Sequence, residues 1–163
     1  MSTDSILILS ANLLDPADAG ALVDLLDAYA RDLMGGGTPL RDDVKKRLPV
    51  DLAARPGAVV LLARVEGIAA GAAVAFEGYS TFEAKPLLNL HDFVVAPAFR
   101  GRGIAHRLLE ALEAQAQRRD CCKITLEVLE NNHRARGIYS RFGFAAYELD
   151  PMAGKALFLQ KKL

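Results

Sequence analysis

Leu88–Arg119 reads LNLHDFVV, then APAFRGRGIA, then HRLLEALEAQAQRR. Leu88, Leu90, Phe93, Val94 and Val95 form an apolar run of strand length and composition. Pro97 closes that strand, because proline has no N–H to give a ladder. Arg100-Gly101-Arg102-Gly103-Ile104-Ala105-His106 follows, and Ile104, Leu108, Leu109, Leu112 and Ala116 then recur at helical spacing. Glu110, Glu113 and Gln117 fall on another face of the same helix. Strand, glycine-rich turn and helix start together suit a phosphate group. First-turn amides and the positive end of the helix dipole converge there, and glycine lets an anion come close to the backbone.

Two familiar phosphate-binding patterns do not fit the turn. A P-loop needs GxxxxGK[ST], and no Lys-Ser or Lys-Thr follows these glycines. A dinucleotide fingerprint needs a third small residue where His106 stands, and too little chain follows for a full doubly wound sheet. Arg100-x-x-Gly103-x-Ala105, preceded by Val95-x-Pro97, resembles instead the (R/Q)xxGx(G/A) acetyl-coenzyme A signature of the GNAT superfamily of N-acetyltransferases. Downstream, Asn132 to Phe144 (NHRARGIYSRFGF) resembles that superfamily's second signature, NxxAxxLYxxxGF, with Ile138 in place of Leu. The likeness is good over the C-terminal two-thirds of the chain and holds in outline over the N-terminal third.

Working outward, Ser5–Ala11 reads as a first strand. Asp15 and Asp18 open a helix that buries Leu22, Val23, Leu25, Leu26, Tyr29, Ala30 and Leu33. Gly35-Gly36-Gly37 exceeds what a helix C-cap needs; a flexible turn is the plain reading, and a loop over the acceptor is what the resemblance adds. A second helix is expected from about Pro39 to Ala54, with Pro49 able to kink or split it. Strands are expected over 58–66 and 68–77, joined by a hairpin at Glu66-Gly67, with a loop from Gly78 to Pro86. Beyond the central helix, Lys123–Val128 alternates as a strand, with Thr125 and Glu127 on one face. Asn131-Asn132 opens a short helix carrying Tyr139, and Phe144–Leu149 and Lys155–Leu163 read as closing strands. The expected fold is a single α/β domain over 1–163. It has the GNAT arrangement: a mixed, mostly antiparallel central sheet of about seven strands, flanked by about four helices.

Acetyl transfer to an amine needs an anchored thioester, a polarised carbonyl, a neutral amine and a proton for the departing thiolate. The resemblance implies acetyl-CoA as cosubstrate. Backbone groups of Phe93, Val94 and Val95 would pair with its pantetheine arm, and Arg100, Gly101, Arg102, Gly103, Ile104, Ala105 and His106 would surround its pyrophosphate. Asn132 caps its helix and, by resemblance, also touches the coenzyme. Tyr139 is the candidate general acid. A phenol's ordinary pKa of about 10 keeps it protonated while a thiolate of about 8.5 departs. As general base, His91 and Glu127 compete; a histidine in an apolar strand also has a purely structural reading. In a regular strand Asp92 would face away from His91, but a bulge, usual in the family at this point, would upset that parity.

Tyr79-Ser80-Thr81-Phe82 followed by Leu90-His91-Asp92-Phe93 resembles the YSTW…LEDxxV pattern of diamine and thialysine N-acetyltransferases. His91 stands where those have Glu, and Phe82 where they have Trp. The acceptor implied is a small-molecule primary amine, a polyamine or lysine-like amino acid. An aminoglycoside, a protein N-terminus, or a non-catalytic acetyl-CoA sensor or subunit are the competing readings. Zero formal charge argues against a nucleic-acid partner. MSTDSILILS lacks a basic n-region, no apolar run reaches membrane-span length, and Cys121-Cys122 gives neither a metal spacing nor a disulfide framework. No metal, no membrane and a cytoplasmic setting are therefore expected. Since many relatives pair, a homodimer joined through the C-terminal strands is among the expectations.

Overall fold

The computed structural model describes residues 5–163. The chain divides into two compact units, one running to Leu126 and the other from Glu127 to Leu163. The larger unit is built on one five-stranded sheet in the order β1-β2-β3-β4-β5. The strands are β1 (Ile6–Ser10), β2 (Ala58–Val65), β3 (Ile68–Ser80), β4 (Lys85–Val95) and β5 (Ile124–Leu126). Neighbours are antiparallel except β4 and β5, which run parallel. The helices of this unit are α1 (Pro16–Arg31), α2 (Asp42–Ala54) and α3 (Ile104–Arg118).

The sheet is covered on both faces. Leu22, Leu25 and Leu26 of α1 and Leu52 of α2 pack with Val60, Leu62, Ala72, Val74 and Val94. On the other face, Ile104, Leu108, Leu109, Leu112 and Ala116 are buried along α3, the stripe that its periodicity predicts. β3 is rich in small residues, from Ala69 through Ala73, so both helical layers can come close. Gly71 is the tightest point. A Cβ there would lie 2.8 Å from the Val94 carbonyl oxygen and 3.2–3.3 Å from Leu108 and Ile104.

Local chemistry explains most element ends. Asp15 caps α1 by accepting from the Ala17 N–H at 2.9 Å, with Pro16 in the first turn. α2 begins at Asp42, not Pro39. Arg41 occupies the N-cap and Asp42 and Asp43 fill the first turn, where negative charge suits the helix dipole. Pro49 neither splits nor ends α2; it is buried inside a continuous helix. Asp27 ties α1 to the approach to α2, accepting from the Leu40 N–H at 2.8 Å and meeting Lys45 at 3.1 Å. The three glycines form a specified turn, with Gly37 N–H donating to Asp32 and Thr38 N–H to Ala30. A Cβ on Gly35 would strike the Tyr29 carbonyl, so the turn is fixed by close approach.

The expected loop from Gly78 to Pro86 is mostly strand, since β3 runs to Ser80 and β4 starts at Lys85. The larger correction concerns strand number: five among the described residues, not about seven. Phe144–Leu149 and Lys155–Leu163 carry strand-like composition, yet neither joins a ladder, and both are exposed along their length apart from a half-buried stretch at Phe144. Strand propensity is realised only against a partner, and composition does not supply one. The smaller unit contains α4 (His133–Phe142), capped by Asn132 and ended by Gly143 in the left-handed conformation.

Replacing Gly71 by Ala is expected to lower stability by about 1–3 kcal/mol, because the added methyl meets backbone and not a flexible side-chain end. Urea denaturation with an unchanged slope would register that loss.

Candidate active site

The glycine-rich turn is built as the sequence suggests. Gly101 and Gly103 have φ of 78° and 80°, a conformation other residues adopt at a cost. Gly103 is the N-cap of α3 and has no side chain with which to cap it. A Cβ at either glycine would meet nothing within 4 Å, so the backbone there faces open space. The turn therefore fits a diphosphate: the start of a 15-residue helix, uncapped by its N-cap residue, with room in front of it. Arg100 holds the turn to β4, its Nε donating to the Val95 carbonyl at 3.1 Å. Arg102 lies over the Phe99 ring at 5.4 Å. The His106 side chain is largely exposed and lies 3.3 Å from Glu110. Ile104 is buried and Ala105 half-buried, so these two serve the turn through backbone.

β4 changes face within the sheet. Ala75 pairs with Leu90 and Val74 with Asp92, so His91 is the extra residue of a bulge. Leu88 and Leu90 are buried opposite Glu77 and Ala75, on the face that α3 covers. Past the bulge, Asp92 and Val94 lie opposite Val74 and Ala72, on the face of α1 and α2. The regular-strand expectation that Asp92 faces away from His91 does not hold: the His91 ring meets Phe76 edge-on at 5.6 Å, and Phe76 packs against that same α1/α2 core. His91 is exposed and Asp92 half-buried.

The same bulge bears on β5. Its ladder with β4 ends at Leu90 and Leu126, one residue before His91, while β4 continues to Val95 beside β3. β5 is thus three residues long, shorter than the expected Lys123–Val128. Glu127 falls just outside it and is exposed.

Residues not singled out from sequence complete this face. Burial raises the Tyr29 phenol above its usual value, and the charges of Asp92 and then Asp32 push it the same way. Arg55 stands 5.9 Å over the Phe76 ring. Asn89 Nδ2 donates to Thr125 Oγ1 at 3.0 Å, joining β4 to β5 just before they part. Phe76 was the available signal, as the first aromatic ring in an alanine-rich strand. The Asp92 carboxyl is raised above the usual carboxylate range by burial, an effect partly offset by the charge of neighbouring His91.

In the smaller unit, Asn132 Oδ1 accepts from the Ala135 N–H at 3.2 Å, the cap that its position suggests. Tyr139 is 8% exposed, and its ring meets Phe144 edge-on at 5.7 Å. Among the described residues no group of three or more His, Cys, Asp or Glu is placed to hold a metal ion, and no helix is long and apolar enough to cross a membrane.

Comparison with known proteins agrees with this architecture. The model of the acetyltransferase (GNAT) family matches residues 22–144, most of the chain. The chain belongs to that family. It is accordingly an N-acetyltransferase. Among solved structures, it resembles a ribosomal-protein-alanine N-acetyltransferase from Brucella melitensis biovar Abortus 2308 with a TM-score of 0.74 and 20% identity, over 97% of this chain and 100% of the other. It resembles aminoglycoside N-acetyltransferase AAC(6')-Iy, solved in complex with CoA, with a TM-score of 0.76 and 20% identity, over 98% and 97%. A transcriptional regulator from Bacillus halodurans matches with a TM-score of 0.78 and 18% identity, over 96% and 100%. At such identities the likeness is one of fold.

Asp92→Asn is expected to stabilise this acetyltransferase at neutral pH. A carboxyl whose folded pKa is raised costs stability once pH exceeds its unfolded value of about 3.9, and the cost is complete above the folded pKa. The advantage of Asn should vanish as pH falls below the ordinary aspartate range, which thermal melts across an acid-to-neutral series would reveal.

Proposed function

We propose that this chain, read as one N-acetyltransferase domain over 1–163, moves an acetyl group from acetyl-CoA directly to a primary amine of a small cationic molecule, a polyamine or lysine-like amino acid. The observation that carries the proposal is the bulge at His91. It sets an exposed imidazole and a half-buried carboxyl on one face, beside the stretch of β4 that runs on past β5. The YSTF and LHDF segments, which resemble those of diamine and thialysine N-acetyltransferases, support the choice of acceptor. The family match runs across both compact units, which supports the single-domain reading.

Acetyl-CoA supplies an activated thioester. The amides of Arg100–His106 bind its diphosphate, and the backbone of Phe93–Val95 pairs with its extended arm as an added strand would. A β4 N–H in that stretch faces the thioester oxygen as it gains charge. His91 takes a proton from the acceptor ammonium, directly or through water, and Asp92 attracts the acceptor's positive charge. Glu127 is the second candidate for base. Tyr139, assigned by its motif position, returns a proton to the departing sulfur, while Asn132 orders the start of its helix.

Acetylation of a panel of polyamines, lysine-like amino acids, aminoglycosides and peptides, followed by mass spectrometry, tests the acceptor. Modification confined to aminoglycosides or peptide N-termini would overturn it, and coenzyme binding without turnover would favour a sensor. With the acceptor in hand, Tyr139→Phe should reduce kcat about 100-fold with coenzyme affinity intact. An unchanged kcat would remove Tyr139 as the acid.

A further inference from the structure

The end of α2 forms one wall of a surface recess of about 480 Å³, lined by Arg47, Asp51, Ala54, Arg55 and Pro56. Arg55 links it to the proposed transfer site. Its guanidinium lies 5.9 Å over the Phe76 ring, and that ring meets the His91 imidazole at 5.6 Å. The backbone of Arg55 is pinned on both sides, its N–H donating to the Leu52 carbonyl at 3.2 Å and its carbonyl accepting from the Ala58 N–H at 3.3 Å. The residue is exposed and forms no ion pair among the described residues. Asp51, one helical turn earlier, meets Arg47 at 3.4 Å, and both of those side chains are more than half exposed. A guanidinium and a carboxylate thus stand together in one recess, a single aromatic ring away from His91.

We propose that the acceptor is a free lysine-like amino acid and not a polyamine, with its α-amino-acid head in this recess, the carboxylate on Arg55 and the α-ammonium on Asp51. This rests on the reading of His91 and Asp92 as the place where the side-chain amine reacts. The two ends of lysine are six bonds apart, roughly 7–8 Å when extended. Arg55 and His91 are separated by no more than their two distances to Phe76 laid end to end, which that span and a hydrogen bond at each end cover. A carboxylate accepts from the guanidinium fork, whereas a polyamine would bring a second ammonium toward Arg55, like charge against like. In the transfer the neutral side-chain amine attacks the thioester carbon, the C–N bond forms and the C–S bond breaks. The proton that the nitrogen gives up ends on the coenzyme sulfur, leaving an Nε-acetyl amino acid and free coenzyme.

Matched acceptors of one chain length test it: lysine, cadaverine, which lacks the carboxylate, and ε-aminocaproate, which lacks the α-amine. With acetyl-CoA, kcat/KM for lysine should exceed that for cadaverine at least about tenfold, with ε-aminocaproate in between and the lysine product acetylated at Nε. In Arg55→Ala the preference for lysine over cadaverine should fall at least about tenfold, through KM, and Arg55→Lys should restore part of it. Asp51→Asn should erode the preference over ε-aminocaproate and keep that over cadaverine. Cadaverine or spermidine used as well as lysine, an Nα-acetylated product, or a preference that survives Arg55→Ala would overturn the amino-acid assignment while leaving transfer to a small amine intact. Acetylation of peptides or aminoglycosides and of none of these amines would overturn transfer to a small amine itself, and this proposal with it.

Discussion

Side chains along a strand alternate between faces, and that periodicity sets the central constraint on this molecule. β4 must bury Leu88 and Leu90 against one helical layer, then Val94 against the other. These are all even positions, so an unbroken strand would place them on one face. The extra residue at His91 resolves the conflict. The ladder with β5 stops one residue before it, at Leu90. A packing requirement and an opening in the sheet thus share one backbone irregularity, and the imidazole and carboxyl that flank it lie where the strand has just changed face. Bulges near functional sites are common for this reason, since they re-aim side chains and end pairing together.

The small residues of β3 answer a second requirement. Helices on both sides of one sheet need a middle strand thin enough to admit them, and Gly71 has backbone of β4 and two side chains of α3 where a Cβ would go. The glycine-rich turn depends on this contact indirectly. Gly103 starts α3, and the seating of Ile104 and Leu108 beside Gly71 fixes where that start lies.

Much of this was legible in the residues. The turn from Arg100 to Ala105, the buried stripe of α3, the Glu66-Gly67 hairpin and the Asn132 cap all depend on chemistry within a few residues, which a sequence displays. What depends on distant partners was not. β5 pairs with β4 only as far as Leu90, one residue before a bulge in that other strand, and the approach to α2 is held by Asp27 of α1, which accepts from the Leu40 N–H. Phe144–Leu149 and Lys155–Leu163 had the composition of strands without a ladder in the single chain. The influence of Asp92 on Tyr29 and the contact of Phe76 with His91 emerged only when helix and sheet were folded together. For Tyr139, burial against Phe144 satisfies the packing reading, and its chemistry rests on motif and experiment.

Most of the proposed coenzyme contacts are to main chain: a strand edge and a helix start. Such a surface is specified by where the backbone runs and by a few glycines, so the side chains around it are open to change. Natural selection can then rewrite nearly everything except the path of the chain. The solved structures described above share 18–20% of their residues with this protein while superposing along almost its whole length. A coenzyme recognised through main chain lets a lineage change acceptors without having to invent its donor site again.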